Sequence, residues 1–249
     1  MKKMTVIIKK ELKEILHTKA SYVSLGLALF VATWLGAAIG KSIDGMVKQG
    51  MSPTDLISTI QSLIGSTTCL LAFMLMLLFW MSMNSYMVIM EKVKRSIESL
   101  LCTPLSLKQI WLAKSLAMFL PSVVLGLVFT FGGVIAINSL FIAPEVGHFV
   151  MPGAAPLVAS LVVVPLIVFF LACVMTQLQF LIANIRWVGI AFMTLIFGVG
   201  FGIGPNLRMG ASSWLPVLIS LGVAAALALL VAYLSSRLTK ERIILSSKA

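Results

Sequence analysis

An all-α integral membrane fold is what this sequence predicts, and three observations predict it. The 249 residues are 60% hydrophobic and only 11% charged, with a mean hydropathy of +1.08, which is not the balance of a soluble domain. Six runs are long and apolar enough to cross a bilayer, with cores at about 21–40, 63–83, 116–137, 157–176, 188–205 and 214–234. A hydrocarbon core of about 30 Å takes roughly 20 helical residues at about 1.5 Å each. Finally, the basic residues fall between the runs with a strong alternation of sides. The expected architecture is one membrane domain, 1–249, with six transmembrane helices. An amphipathic interfacial helix at 1–20 precedes them, and a short cytoplasmic helix lies in the 91–114 connection between spans two and three.

The first element is read from spacing. Met4, Ile8, Leu12, Ile15 and Leu16 recur at helical intervals, while Lys9, Lys10, Lys13 and Glu14 fall on other faces. Such a helix is too polar to span and suits the inner interface, with its lysines toward lipid headgroups. The apolar run that follows is long and has no small-residue cleavage site before Lys41, so it reads as a first membrane span and not a cleavable signal.

The loops then fix orientation. With both termini in the cytoplasm, 16 of the 19 basic residues lie inside, and only Lys41, Lys48 and Arg208 lie outside. The same distribution accounts for the net charge of +11: basic residues line membrane boundaries, where anionic lipid is the counter-charge, and nucleic acid is not called for. A multi-pass protein of a prokaryotic plasma membrane is expected. Its outer loops would be 41–59, 138–153 and 206–213, none large enough for a folded domain. The second apolar stretch, uncharged from Leu56 to Met90, would be about 52 Å of helix and must project beyond the bilayer, leading inward to Glu91. The fifth run, with Gly198, Gly200, Gly202 and Gly204 before Pro205, is the weakest. Those glycines permit close backbone approach or a broken outer end, and lack the strand–helix context of a nucleotide loop. Pro121 and Pro165 are candidate kinks in spans three and four.

Chemistry within the bundle is sparse. No Asp, Glu, Lys or Arg falls in the central part of any apolar run, and ion-coupled transport or intramembrane acid chemistry usually needs one there. Energy for uphill transport would come from elsewhere. Cys69, Cys102 and Cys173 show no CxxC spacing, and His17 and His148 lie outside the runs, so no metal site is expected. Fifteen methionines, including Met83, Met87 and Met90, read as flexible apolar filler before a soft-metal site.

The polar connection 91–114 carries the most specific pattern. Ser96, Ile97, Glu98, Leu100 and Leu101 form a short amphipathic stretch stopped at Thr103-Pro104, since the residue before proline disfavours helix. Ser106 can cap the next helix, which carries Lys108 and Trp111 into span three.

In its order Glu91, Ser96, Glu98, Leu100, Leu101, Thr103, Pro104, Ser106, Lys114, this segment resembles the cytoplasmic loop of the ABC type-two permease family. These are the membrane subunits of ATP-binding-cassette exporters. Arg95 stands where that loop usually has glycine. The layout is similar too: a Lys-Glu-Leu-Lys-Glu run at Lys10 to Glu14, six spans, and a basic residue after Asn184 between spans four and five. The resemblance implies a coupling helix that docks on a separate cytoplasmic ATPase. Glu91, Arg95, Ser96, Glu98, Leu100, Leu101, Thr103 and Pro104 would form that contact. It also implies a second copy or homologue, completing a twelve-helix pore. ATP and Mg would be held by the partner ATPase, since this chain has no GxxxxGK[ST] loop and is not itself expected to be an enzyme. Two other classes stay open on the residues alone: a non-transporting membrane anchor or assembly factor, and a lipid-modifying enzyme. The enzyme would need polar residues converging at one membrane depth.

Overall fold

The computed structural model describes residues 19–48, 53–93, 106–147, 149–181, 190, 194, 198 and 214–237. They form α1 (Lys19–Lys48), α2 (Pro53–Val93) and α3 (Leu107–Ile137), followed by a π-helical segment, π1 (Asn138–Ile142), and a short α4 (Ala143–Val146). After the turn come α5 (Ala154–Val158), a second π-helical segment, π2 (Ala159–Val163), α6 (Val164–Leu181) and α7 (Leu215–Arg237). Five helical stretches are long and apolar enough to cross a membrane: Tyr22–Ile43, Asp55–Met83, Leu107–Ile142, Ala154–Leu181 and Leu215–Arg237. No strand occurs among the described residues. The chain is a multi-helix membrane protein. Of the fifth apolar run in the sequence, 188–205, only Ile190, Thr194 and Gly198 are described. All three are helical and exposed.

Several boundaries differ from the hydropathy reading. The expected outer loop 41–59 is largely helix, because α1 runs on to Lys48 and α2 begins at Pro53. Polarity alone does not stop a helix. Pro53 is well placed at the first helical position, where its missing N–H costs nothing, and Asp55 in the first turn complements the helix dipole. At 41 residues, α2 is about 60 Å long. That is about twice a hydrocarbon core of about 30 Å, so part of the helix projects beyond the bilayer. α3 starts at Leu107, directly after the cap expected at Ser106, so it runs ahead of the apolar core at 116–137 and carries Lys108 and Lys114. The expected loop 138–153 begins with π1 and α4. The latter ends at Gly147, whose φ of 77° is the left-handed cap that glycine adopts without strain.

The two π-helical segments share a cause legible in the sequence. Each ends two residues before a proline: Ile142 precedes Ala143-Pro144, and Val163 precedes Val164-Pro165. A proline ring clashes with the carbonyl four residues back and leaves it without a donor. Widening the preceding turn relieves this. The N–H of Ala143 donates to the carbonyl of Asn138, and that of Val164 to Ala159, both five residues back. Pro165 therefore marks a π-helical widening at the head of α6. Pro121 lies buried inside a continuous α3.

Packing is layered along the helices. Let the near face be the one where α1 begins. At the far end, Ile39 and Ile43 of α1, Ile60 and Ile64 of α2, and Val134 and Ile137 of α3 pack with Ile142 and Val150. Midway, Ala28 meets Leu71, Leu75 and Phe79. A larger cluster joins Met76 and Trp80 of α2, Met118 of α3, Ile167, Leu171 and Met175 of α6, and Ala224 of α7. Toward the near end, Trp111 packs with Cys173 and Phe180, flanked by Leu107 and Val231. α2 is the enclosed helix, with Leu75, Met76, Phe79 and Trp80 fully buried. Its approach to α3 is close at Gly126, where a Cβ would overlap Met76 Cγ and stand 3.1 Å from Met76 Cα. By contrast, Phe30, Trp34, Leu218 and Leu229 are largely exposed, an outward apolar surface suited to lipid.

The layers also give direction. Val217 of α7 belongs to the cluster containing Ala155 and Val163 at the head of the fourth stretch, while Val231 packs near Cys173 and Phe180 at its tail. Hence α6 and α7 run in the same direction.

Candidate functional site

The candidate site lies at the near face, where α2 leaves the bundle and α3 enters it. Residues 94–105 are outside the described residues, and with them Arg95, Ser96, Glu98, Leu100, Leu101, Thr103 and Pro104. Glu91 sits in the last turn of α2 by its backbone. Lys9, Lys10 and Lys13 likewise lie outside the described residues, as do Gly200, Gly202, Gly204 and Pro205. Gly198 is helical, and a Cβ there would meet nothing within 4 Å.

The C-terminal edge of the segment is well defined. Ser106 is the N-cap of α3: its Oγ accepts from the Gln109 N–H at 3.3 Å, and Gln109 Oε1 accepts from the Ser106 N–H at 3.1 Å. This reciprocal capping box satisfies two helix-end donors and fixes the angle at which the chain enters the helix. The cap expected at Ser106 is present.

Immediately inside this edge is a group of buried polar residues that hydropathy did not reveal. Lys114 is 1% exposed and makes an interaction of its own. It sits on α3 between Trp111 and Met118, both of which face α6. Beside it, Ser115 Oγ donates to the Trp111 carbonyl at 2.9 Å and lies within hydrogen-bonding reach of the Cys173 thiol on α6. One turn closer to the near face are Trp111 on α3 and Gln177 on α6. Gln177 is fully buried, and neither its Nε2 nor its Oε1 has a hydrogen-bond partner. Trp111 Nε1 and Gln179 Oε1 are also buried without partners.

Several other buried polar residues are matched locally. Thr68, Ser122, Thr130, Ser160 and Thr176 each donate to a carbonyl one turn back in their own helix. Asn138 donates to the Val134 carbonyl and accepts from the Val150 N–H. The signal in the sequence was Lys114, Gln177 and Gln179 themselves, three long polar residues at the edges of apolar runs. Only helix packing turns those edges inward.

Elsewhere the bundle offers apolar surface. A groove of about 550 Å³ between α1 and α3 is lined by Leu29, Gly36, Val128, Gly132, Ala136 and Phe141. Thr33 at its edge bonds its hydroxyl to the Leu29 and Phe30 carbonyls of its own helix. Among the described residues no three His, Cys, Asp or Glu side chains converge as metal ligands would. In comparisons with known proteins, no family model, no curated protein and no solved structure matches this chain.

Proposed function

We propose that this chain is the membrane-spanning permease subunit of an ATP-binding-cassette transporter of exporter type. It pairs with a second copy or a homologue, and a separate cytoplasmic ATPase drives it through the 91–114 segment. The observation that carries the reading is the residue order Glu98, Leu100, Leu101, Thr103, Pro104, Ser106, followed by an α3 whose start Ser106 fixes. An ATPase that pushes on a short docking segment needs a stiff connection into the bundle. Two helices supply it: α2 runs unbroken to Val93 and is longer than a bilayer core, and α3 begins under a two-sided cap.

Six crossings are part of the proposal. Because α6 and α7 run in the same direction, Leu181 and Trp214 lie at opposite faces of the bundle. The 32 residues from 182 to 213 are enough for a helix of about 20 residues and 30 Å. Basic residues concentrated at the near face make it the cytoplasmic one, with both termini inside a plasma membrane. Small residues such as Gly132 and Ala136 on an outward surface are compatible with helix pairing between copies. The test is recovery of an ATPase with the tagged protein, and its loss with Glu98→Ala or Leu101→Asp while membrane insertion is unchanged.

A further inference from the structure

We propose that Trp111 and Gln177 form a buried hydrogen-bonding site, between α3 and α6, for a neutral ligand bearing an O–H group. The site goes beyond the permease reading and does not depend on it.

Register places the two residues together. α3 and α6 run in opposite directions, and Ser115 faces Cys173 across them. One turn from that pair toward the near face lies Trp111 on one helix and Gln177 on the other. Trp111 packs on Cys173 and Phe180, which flank Gln177 on the same face of α6 at the spacing of a helical stripe. Trp111 is 6% exposed and Gln177 is 0% exposed. Three polar atoms at this level are unmatched: Trp111 Nε1, Gln177 Nε2 and Gln177 Oε1. Leaving them so in an apolar interior is costly, and native structures explain such groups by an ordered water or a ligand. Pairing Trp111 Nε1 directly with Gln177 Oε1 would still leave Nε2 without an acceptor.

The donor pattern selects the ligand. Two atoms donate and one accepts, so a single oxygen with two lone pairs and one hydrogen satisfies all three. A carboxylate would accept from the two N–H groups but confront Oε1 with a second acceptor. An ammonium would meet the indole N–H donor to donor. Lys114, about one turn deeper on the same side of α3, has an interaction of its own, so the ligand need bring no charge. Water and the hydroxyl of a small polyol or larger solute share this chemistry.

Stability of the purified full chain gives the first test, because the sign is diagnostic. With no ligand, Gln177→Met removes two unmatched polar atoms for an apolar side chain of like size, and the melting temperature in detergent rises. With a bound O–H ligand it removes real hydrogen bonds, and the melting temperature falls by several degrees. Trp111→Phe shifts it in the same direction.

The second test reads access in membranes, with Cys69, Cys102 and Cys173 replaced by alanine. Gln177→Cys is compared with Leu171→Cys, which lies deeper on α6, using the water-soluble reagent methanethiosulfonate ethylammonium. The site predicts modification about tenfold or more faster at 177, beyond ordinary differences in local opening between adjacent turns. Slowing of that rate by glycerol, but not by polyethylene glycol at equal osmolarity, identifies a small polyol as an occupant. An unchanged rate identifies water. A raised melting temperature for Gln177→Met, or equal slow modification at both positions, overturns the proposal. Neither measurement uses an ATPase, so the site and the permease reading fail separately.

Discussion

Ser106 and Gln109 hold one another: the serine hydroxyl accepts from the Gln109 N–H, and the glutamine carbonyl oxygen accepts from the Ser106 N–H. The pair sits where the polar 91–114 segment becomes α3. It therefore sets how rigidly any force on that segment passes into the bundle. Ser106→Ala removes the cap and should lower stability by about 1 kcal/mol, whereas Ser106→Asp should retain most of it. Thermal unfolding of the purified protein in detergent checks both. Equal losses for Ala and Asp would contradict a capping role.

Gly126 predicts an asymmetry between two glycines of one helix. A Cβ at Gly126 would overlap Met76 on α2, while one at Gly132 would meet nothing within 4 Å. Gly126→Ala should destabilise by about 1–3 kcal/mol through overpacking, and Gly132→Ala should be neutral or slightly stabilising through helix propensity. Parallel melting curves decide it, and equal effects would argue against the close α2–α3 approach.

Asn138 ties the far-end turn to α3. Its Oδ1 accepts the Val150 N–H at 3.1 Å and its Nδ2 donates to the Val134 carbonyl at 3.1 Å, both in buried surroundings. Asn138→Leu strands the Val150 N–H and should cost about 1–3 kcal/mol. Limited proteolysis around 147–153 should accelerate in the variant. Unaltered cleavage and melting would show that the clamp is dispensable.

Parallel α6 and α7 make a topological prediction. With the native cysteines removed, Trp214→Cys should react with an impermeant maleimide from outside intact cells, and Arg237→Cys only after lysis. Phe149→Cys should behave like Trp214→Cys, since both residues are exposed and both lie at the far end, Phe149 beside Val150 and Trp214 at the head of α7. Labelling of Arg237→Cys in intact cells would reverse the orientation, and labelling of Trp214→Cys and Arg237→Cys from one side would contradict a spanning α7.

Much of this fold is written in the hydropathy of the chain, because a membrane helix must satisfy its backbone internally and present apolar side chains for about 30 Å. Four of the five described stretches overlap the runs at 21–40, 63–83, 116–137 and 157–176, and the fifth matches 214–234. The cap at Ser106 was legible for a local reason, a serine three residues before a glutamine. What hydropathy could not give was where helices stop. α1 continues through Lys41 and Ser42 to Lys48 because nothing in those residues breaks a helix. The π-helical turns were written in Pro144 and Pro165, but as widenings, which a kink-or-no-kink reading does not anticipate. Nor does composition separate Lys114 and Gln177 from ordinary boundary residues. Their burial follows from α3 and α6 facing each other at the near end.

The central claim, that the 91–114 segment docks a separate ATPase, is tested most directly by affinity purification of the tagged chain from membranes. The permease account predicts recovery of a soluble ATPase with the native sequence, near one-to-one, and its loss in Glu98→Ala and Leu101→Asp, with both variants inserted at normal levels. Recovery of no ATPase with the native chain, or of the same amount with all three, would contradict it.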